Sequence, residues 1–337
     1  MISYFAKRLL LAFLTLIAIL LASYVLLRCA PGDPARSNMF MDESGGQMNA
    51  GKSSRPGNRA IREKLGLDEP VLTGFVRWMA RAARGDLGTS AVVDPGRPVV
   101  SLIAERLPVT VKLNLWSVFV TYLLAVVIGV YGAKKENSWF DRTGTLGLFV
   151  LYSMPVIWTG LLLQAVCCEG GLYPFFPLKG LYVPVKGVST WQMLALSAKS
   201  YILPVFCLSY AGLAGLSRYA RNSMLEVIHS DFVRTASAKG AGETRILWEH
   251  AFANALITLI TLFGGLLPGL VAGSVLVEYI FNIPGMGALS LVALSSRDYP
   301  LVMALFAFSG ILTLAGILIS DLLYAAADPR ISLTGKR

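Results

Sequence analysis

Charged residues are scarce in this chain of 337 residues: Asp, Glu, Lys and Arg make up 15% of it, against about 25% in a typical soluble domain. Apolar residues take their place, at 55% of the chain, and the mean hydropathy is +0.61. They are gathered into uncharged runs close to the ~20 residues that a helix needs to cross a bilayer. The composition argues against a soluble domain and indicates a polytopic, all-α membrane protein.

Side chains suited to catalysis or metal binding are also few. The two histidines, His229 and His250, have no second ligand at metal spacing, and no Gly-x-Ser-x-Gly sequence occurs. The four cysteines lie in or at the ends of apolar runs, which favours packing over redox or metal roles. The runs hold almost none of the carboxylates and histidines typical of proton-coupled transporters, and the main one is Asp321, at the inner end of the last run. We therefore expect no catalytic site, no metal and no cofactor on this chain.

Six apolar runs are candidate membrane spans. They are Leu9–Leu27, Leu113–Ala133, Thr143–Cys168, Ser200–Ser217, Ala251–Val277 and Tyr299–Ser320. Much of the net charge of +10 flanks these runs, and no tract of clustered basic residues interleaved with aromatics points to nucleic acid. With both termini in the cytoplasm, most of the basic flanks lie inside, as the positive-inside rule requires. The sequence thus predicts six transmembrane helices with cytoplasmic termini.

The predicted spans divide the chain into three parts. Residues 1–28 form an N-terminal transmembrane helix, and residues 29–108 form a periplasmic loop with short amphipathic helices. Residues 109–337 form a five-helix core that includes a cytoplasmic loop at residues 218–250. In the outer loop, Pro70 is suited to open a helix that runs to Arg84. This helix is expected to lie on the outer membrane surface, to cap the outer vestibule or to pack on the rest of the loop.

A phosphate-binding pattern, G-x-x-x-x-G-K-[ST], occurs at Gly46–Ser53. Such a pattern binds nucleotide when a buried strand precedes it and a helix follows. Here the preceding residues are polar and Gly-rich, and Ser54-Arg55-Pro56-Gly57 cannot begin a helix. The pattern also lies in the predicted outer loop. We expect no nucleotide site here, and no role in transport for Lys52.

A polar segment, Glu226–Gly242, interrupts the apolar runs, and we call it the docking segment. Acidic residues come early and basic residues late, which suits a helix dipole, and Gly240 and Gly242 are suited to end the helix. A short helix across the inner membrane face is able to seat in a groove of a partner protein. The alternative is a solvated connector, which needs neither this charge nor this length.

Three polar residues within the runs are candidates for a transport path: Gln164, Asn254 and Ser274. Their alternative role, hydrogen bonding between helices, is the commoner one for such residues in membranes.

The residues Asp231–Gly240 resemble the coupling-helix motif of the inner-membrane permeases of ATP-driven, binding-protein-dependent importers, with the motif's glycine at Gly240. Further stretches similar to the dipeptide, oligopeptide and nickel branch are Lys7–Leu10, Arg28–Pro34, Gly85–Gly88, Ile103–Pro108, Arg297–Pro300 and Asp328–Ile331. Ala253 and Thr258 stand where the family often has arginine and proline. Phe176–Leu181 and Ile246–His250 are similar to an oligopeptide, microcin C-like branch.

The resemblance implies the ABC importer type I permease fold and a place in a bacterial inner membrane. It implies a permease subunit that moves di- or oligopeptides from periplasm to cytoplasm by alternating access. The implied partners are a second homologous permease, two ATPases that carry ATP and magnesium, and a periplasmic or lipid-anchored solute-binding protein. The implied contacts to the ATPase come from Glu226, Asp231, Phe232, Arg234, Thr235, Ala236, Ala238, Lys239 and Gly240.

Other functions remain open at this point. The solute of such a permease is a peptide, a nickel chelate, glutathione or a sugar. An ATP-independent secondary transporter or channel is a separate class, but the chain shows few intramembrane charges and no visible inverted repeat. A membrane-embedded hydrolase would need catalytic groups that the sequence lacks.

Overall fold

The computed structural model describes residues 2–29, 69–178, 180–181, 189–264, 269–272 and 274–327. The regular structure in these ranges is helical. The first helices are α1 (Ile2–Cys29), α2 (Val71–Ala82), α3 (Val99–Lys134), α4 (Trp139–Ser153), α5 (Val156–Cys167), α6 (Thr190–Ile228), α7 (Asp231–Ala238) and α8 (Glu243–Arg245). A π-helical segment, Ile246–Phe252, precedes α9 (Ala253–Gly264), α10 (Gly269–Ala272), α11 (Val275–Ile280), α12 (Met286–Ser296) and α13 (Tyr299–Ala327). The phosphate-type pattern at residues 46–53 lies outside the described residues.

Four described helices are long and apolar enough to cross a membrane, within Arg8–Cys29, Val99–Lys134, Ala195–Ile228 and Tyr299–Ile319. The pair α4 and α5 would make a fifth span, bent by 97° where Pro155 precedes α5. Proline lacks a backbone N–H and disfavours helical backbone in the residue before it, so the predicted run Thr143–Cys168 divides there. The predicted run Ala251–Val277 also divides, because Ser274 is extended (φ −110°, ψ 98°) just before α11. An all-helical membrane protein is confirmed, and the count of six spans stays a prediction.

The chain forms two compact units, one mainly from Met1–Pro108 and Ala288–Ala315 and the other mainly from Val109–Gly287. In the first unit, α2 packs on α1 through Tyr24, Phe75 and Trp78, all buried. The Tyr24 and Phe75 rings meet edge to face, with centroids 5.8 Å apart. The predicted helix of the outer loop is therefore present, and one face of it packs on the chain. Its opposite face exposes Leu72 and Val76.

Asp298 is a buried carboxylate in the first unit, just before α13. It accepts hydrogen bonds from the backbone N–H groups of Ala91, Val92 and Val93 at 3.0–3.1 Å. The Ser90 hydroxyl donates to it as well, and the Leu301 N–H does so at 3.3 Å. One side chain thus caps α13 and ties the loop before α3 to it.

In the second unit, the C-terminal ends of α3 and α6 meet the π-helical segment. Their buried side chains form one apolar cluster, which we call the platform: Val130, Ala133, Met224, Leu247, Ala251 and Ala255. A Cβ atom at Gly129 would lie 2.5 Å from the Ala220 Cβ and 2.8 Å from the Ser217 carbonyl oxygen. Only glycine permits α3 and α6 to approach this closely. The platform holds the helices beneath the docking segment together.

Candidate functional site

The docking segment consists of two helix ends and one short helix. α6 continues to Ile228, so Glu226 lies in the last turn of α6. The chain then turns at Ser230, whose backbone is extended (φ −74°, ψ 154°), and α7 begins at Asp231. Asp231 lies in the first turn of α7, where the helix dipole stabilises a negative charge. The helix predicted across the segment is therefore present but shorter, at Asp231–Ala238.

The C-terminal end of α7 is a Schellman motif. Gly240 has φ +82°, a left-handed conformation that favours glycine. Its N–H donates to the Ser237 carbonyl at 2.9 Å, and the Ala241 N–H donates to the Ala236 carbonyl at 3.2 Å. The predicted stop at Gly240 is confirmed. Gly242 has a different role from the predicted one, because with φ −67° it precedes α8 as its N-cap.

Val233 is the buried side chain of α7, and most of the helix is open to solvent. The Phe232 side chain is 48% exposed. The Asp231 carboxylate is fully exposed and lies 3.8 Å from the Arg234 guanidinium, which is 74% exposed. Thr235, Ala238, Lys239 and Gly240 are also exposed, and Ala236 is half-buried. An exposed aromatic ring between charged groups is a surface suited to a partner protein.

Packing and polar contacts surround α7. α7 contacts the π-helical segment, and the residues that flank it contact the end of α3 and the turn that follows. The Lys134 Nζ lies 3.0 Å from the Glu243 Oε2, and the His229 Nε2 lies 3.8 Å from the Glu136 Oε2. Through the π-helical segment, α7 is therefore connected to the platform, which includes residues of α3 and α6.

The three path candidates have structural partners in the second unit. The Gln164 side chain donates to the Ile280 carbonyl at 2.7 Å, and the Ser274 hydroxyl accepts from the Val277 N–H at 3.4 Å. These two residues therefore lie at the two ends of α11. The exposed Asn254 side chain, in α9, donates to the His250 carbonyl of the preceding π-helical segment at 2.7 Å. The structure thus brings Gln164 and Ser274 to one short helix and leaves Asn254 on another.

Glu278 is a functional candidate that sequence reasoning missed. It is fully buried in α11, and its Oε1 accepts from the Thr110 hydroxyl at 2.9 Å. The Thr110 oxygen in turn accepts from the Met286 N–H at 2.8 Å. A Cβ atom at Gly285 would lie 2.5 Å from the Glu278 Oε2. A lone carboxylate one residue beyond the predicted run that ends at Val277 was the available signal.

Comparison with known proteins settles the family. The model of the family described as binding-protein-dependent transport system inner membrane component matches residues 125–333. A second model, for the N-terminal part of such membrane components, matches residues 1–114. The chain belongs to this family. It is thus the membrane permease of a binding-protein-dependent transport system, embedded in the membrane through its apolar helices.

Individual relatives of this permease are similar over nearly their whole length. An oligopeptide transport system permease protein, AppB, of Bacillus subtilis is 38% identical over 331 residues, which covers 98% of this chain and 99% of the relative. A dipeptide transport system permease protein, DppB, of Alkalihalophilus pseudofirmus is 34% identical, with 98% and 99% covered. An oligopeptide transport system permease protein, OppB, of Mycobacterium bovis is 38% identical, with 84% and 88% covered.

Proposed function

We propose that this permease moves di- or oligopeptides from the periplasm to the cytoplasm of a bacterium, driven by ATPases that dock on α7. The observation that carries the docking proposal is an exposed helix of eight residues that contacts the π-helical segment, which itself packs with α3 and α6 in the platform. The peptide substrate rests on the relatives named oligopeptide and dipeptide permeases. A nickel chelate or another small solute is the second candidate, since the resemblance extends to that branch.

The residues of the docking segment divide into four roles. Asp231, Arg234 and Lys239 make polar contacts to the ATPase, together with Glu226 at the end of α6. Phe232, Ala236 and Ala238 enter the groove of the ATPase, and Thr235 holds the helix by donating its hydroxyl to the Asp231 carbonyl at 2.8 Å. Gly240 sets the turn that returns the chain to α8. ATP-driven closure of two ATPases pushes α7, and the platform passes the displacement to the spans.

The assembly that we propose contains this permease, a second homologous permease, two ATPases with ATP and magnesium, and a periplasmic or lipid-anchored binding protein. In it the chain crosses the inner membrane six times with both termini in the cytoplasm. Residues 1–28 form the first span, 29–108 the outer loop and 109–337 the core, with the cytoplasmic loop at 218–250. Gln164, Asn254 and Ser274 are proposed to line the path.

Substitution of Gly240 tests the coupling role. Gly240→Pro removes an N–H donor and imposes a φ near −65° where the backbone has +82°. The variant is assayed in vesicles that contain the complete importer. We expect peptide uptake to be lost while ATP hydrolysis persists and the permease still inserts. Gly242→Ala is the matched control, because Gly242 has φ −67° and open space at its Cβ position. Normal uptake by Gly240→Pro would contradict the proposal.

A further inference from the structure

A cavity of about 900 Å³ opens between α3, α4 and α6 in the second unit. The docking segment does not line it, and nothing in the proposed transport cycle uses it. We call it the α3–α4–α6 cavity. Its volume suits a small-molecule ligand, since such pockets measure about 300–1,000 Å³.

The cavity lies where three apolar runs end. The predicted spans end at Ala133 and Ser217 and begin at Thr143. The lining includes residues on the polar side of these ends, such as Arg142 and Arg218, and on the apolar side, such as Phe149. Three chain positions that each mark a membrane boundary therefore meet at one cavity, so the boundary between headgroups and acyl chains crosses it.

The polar end of the cavity is cationic. Arg221 binds Asp141 through two hydrogen bonds of 2.7 Å each, so its charge is balanced. Arg142 and Arg218 also line the cavity and are exposed, and neither makes an ion pair with an acidic side chain in the described part of the chain. The charged side chains that line the cavity are Arg142, Arg218, Arg221 and Asp141, which leaves two positive charges in excess.

The other end of the cavity is apolar and roomy. Leu146, Phe149 and Tyr152 line it and are 62%, 56% and 61% exposed. Gly144 and Gly215 also line it, and a Cβ atom at either would meet nothing within 4 Å. A ligand that fits both ends carries a negative head and an apolar tail.

We propose that the α3–α4–α6 cavity binds one anionic phospholipid of the cytoplasmic leaflet. The phosphate lies between Arg142 and Arg218, and the first part of an acyl chain lies along Leu146, Phe149 and Tyr152. Basic pockets at the cytoplasmic ends of membrane helices suit such headgroups. An apolar helix of a second permease would instead bury two guanidinium groups without a counter-charge, which is unfavourable. The assignment of the leaflet rests on the proposed orientation of the permease; the binding does not.

Native mass spectrometry of the importer, purified in mild detergent, tests the proposal. Phosphatidylglycerol and phosphatidylcholine with identical acyl chains are added, and the lipid retained per permease is counted. We expect wild type to retain phosphatidylglycerol preferentially. The double variant Arg142→Gln with Arg218→Gln should weaken the binding of phosphatidylglycerol about 25-fold. Each basic residue near a membrane surface contributes about fivefold to the affinity for an anionic lipid. Arg81→Gln with Arg84→Gln removes the same charge from exposed positions elsewhere and should change nothing.

A second pair of variants tests the cavity by its volume. Gly144→Leu puts a side chain into the cavity and should displace the lipid. Gly147→Leu is the matched control in the same helix, because its Cβ position is equally open and Gly147 does not line the cavity. Equal retention of the two lipids, equal loss in both arginine pairs, or full retention in Gly144→Leu would each overturn the proposal.

Discussion

The docking segment differs from two of the buried carboxylates, Glu278 and Asp298, in where its hydrogen-bond partners come from. α7 is closed by bonds within a few residues, such as Gly240 to Ser237. Besides its bond to Leu301, Asp298 accepts from Ser90 to Val93, which lie 205–208 residues away in the chain, and Glu278 accepts from Thr110, 168 residues away. The first region is held by local geometry and open to a partner, whereas the second holds distant parts of the chain together. Substitutions should therefore affect coupling in the first and stability in the second.

The largest effect is expected at Asp298. Asp298→Ala leaves a hydroxyl and four backbone N–H groups without their acceptor, which costs about 3–5 kcal/mol. We expect a large fall in the thermal melting temperature of the detergent-solubilised permease. Asp298→Asn keeps one acceptor oxygen and should lose less. If Asp298→Ala melted at the wild-type temperature, the expectation that substitutions at the buried carboxylates lower stability would be contradicted.

A smaller loss of stability is expected at Glu278. Glu278→Ala removes the acceptor of the Thr110 hydroxyl and leaves a cavity, at a cost of about 2–3 kcal/mol. Glu278→Gln keeps an acceptor oxygen for Thr110 and should melt closer to wild type. The melting temperatures of both variants are measured by thermal unfolding of the permease alone, with no ATPase present. Equal melting of the Ala and Gln variants would show that the Thr110 bond contributes nothing.

Gly240 allows the comparison to be tested at a backbone position. Gly240→Ala forces a side chain into φ +82°, which costs about 1–2 kcal/mol. Because α7 is peripheral, we expect the melting temperature to change little and the ratio of peptide uptake to ATP hydrolysis to fall. Gly242→Ala, with an ordinary φ, should leave both unchanged. A lower melting temperature without a change in this ratio would show that Gly240, like the buried carboxylates, contributes to stability and not to coupling.

The smallest effect on stability is expected at Arg234 and Lys239. Both side chains are exposed, so Arg234→Ala with Lys239→Ala should leave the melting temperature at the wild-type value. The same variant should weaken recovery of the ATPases with the purified permease. Arg81→Ala with Arg84→Ala, in the first unit, serves as the charge-matched control. If the double variant recovered the ATPases as well as wild type does, the proposed polar contacts of Arg234 and Lys239 to the ATPase would be contradicted.

Local signals explain how much of this permease was predictable. The end of α7 at Gly240 and the break at Pro155 each follow from one residue and its neighbours, and the structure has both. The shortening of α7 was not predicted, because Glu226 is an equally good residue for the end of α6. The π-helical segment was not predicted either, since its residues have no local feature that distinguishes them from an ordinary helix.

The buried carboxylates show where local reasoning ends. Asp298 has a family signature around it, but that signature does not say that Ser90 to Val93 would be its partners. Glu278 lies one residue beyond a predicted run and so was not counted among the membrane charges. Arg221 was interpreted as a flanking charge, and its bond to Asp141 depends on α4 meeting α6. Each of these contacts is a tertiary one, which a single sequence does not specify.

Photo-cross-linking from position 232 tests the central claim, that α7 is where the ATPase docks. A photoreactive amino acid replaces Phe232 in the complete importer in native membranes, and the captured chain is identified by mass spectrometry. Leu172, which is 76% exposed and lies in the turn after α5, is the control position. Capture of an ATPase from position 232 and none from position 172 is the predicted result. Capture of lipid alone from position 232, or of the ATPase from position 172, would contradict the account.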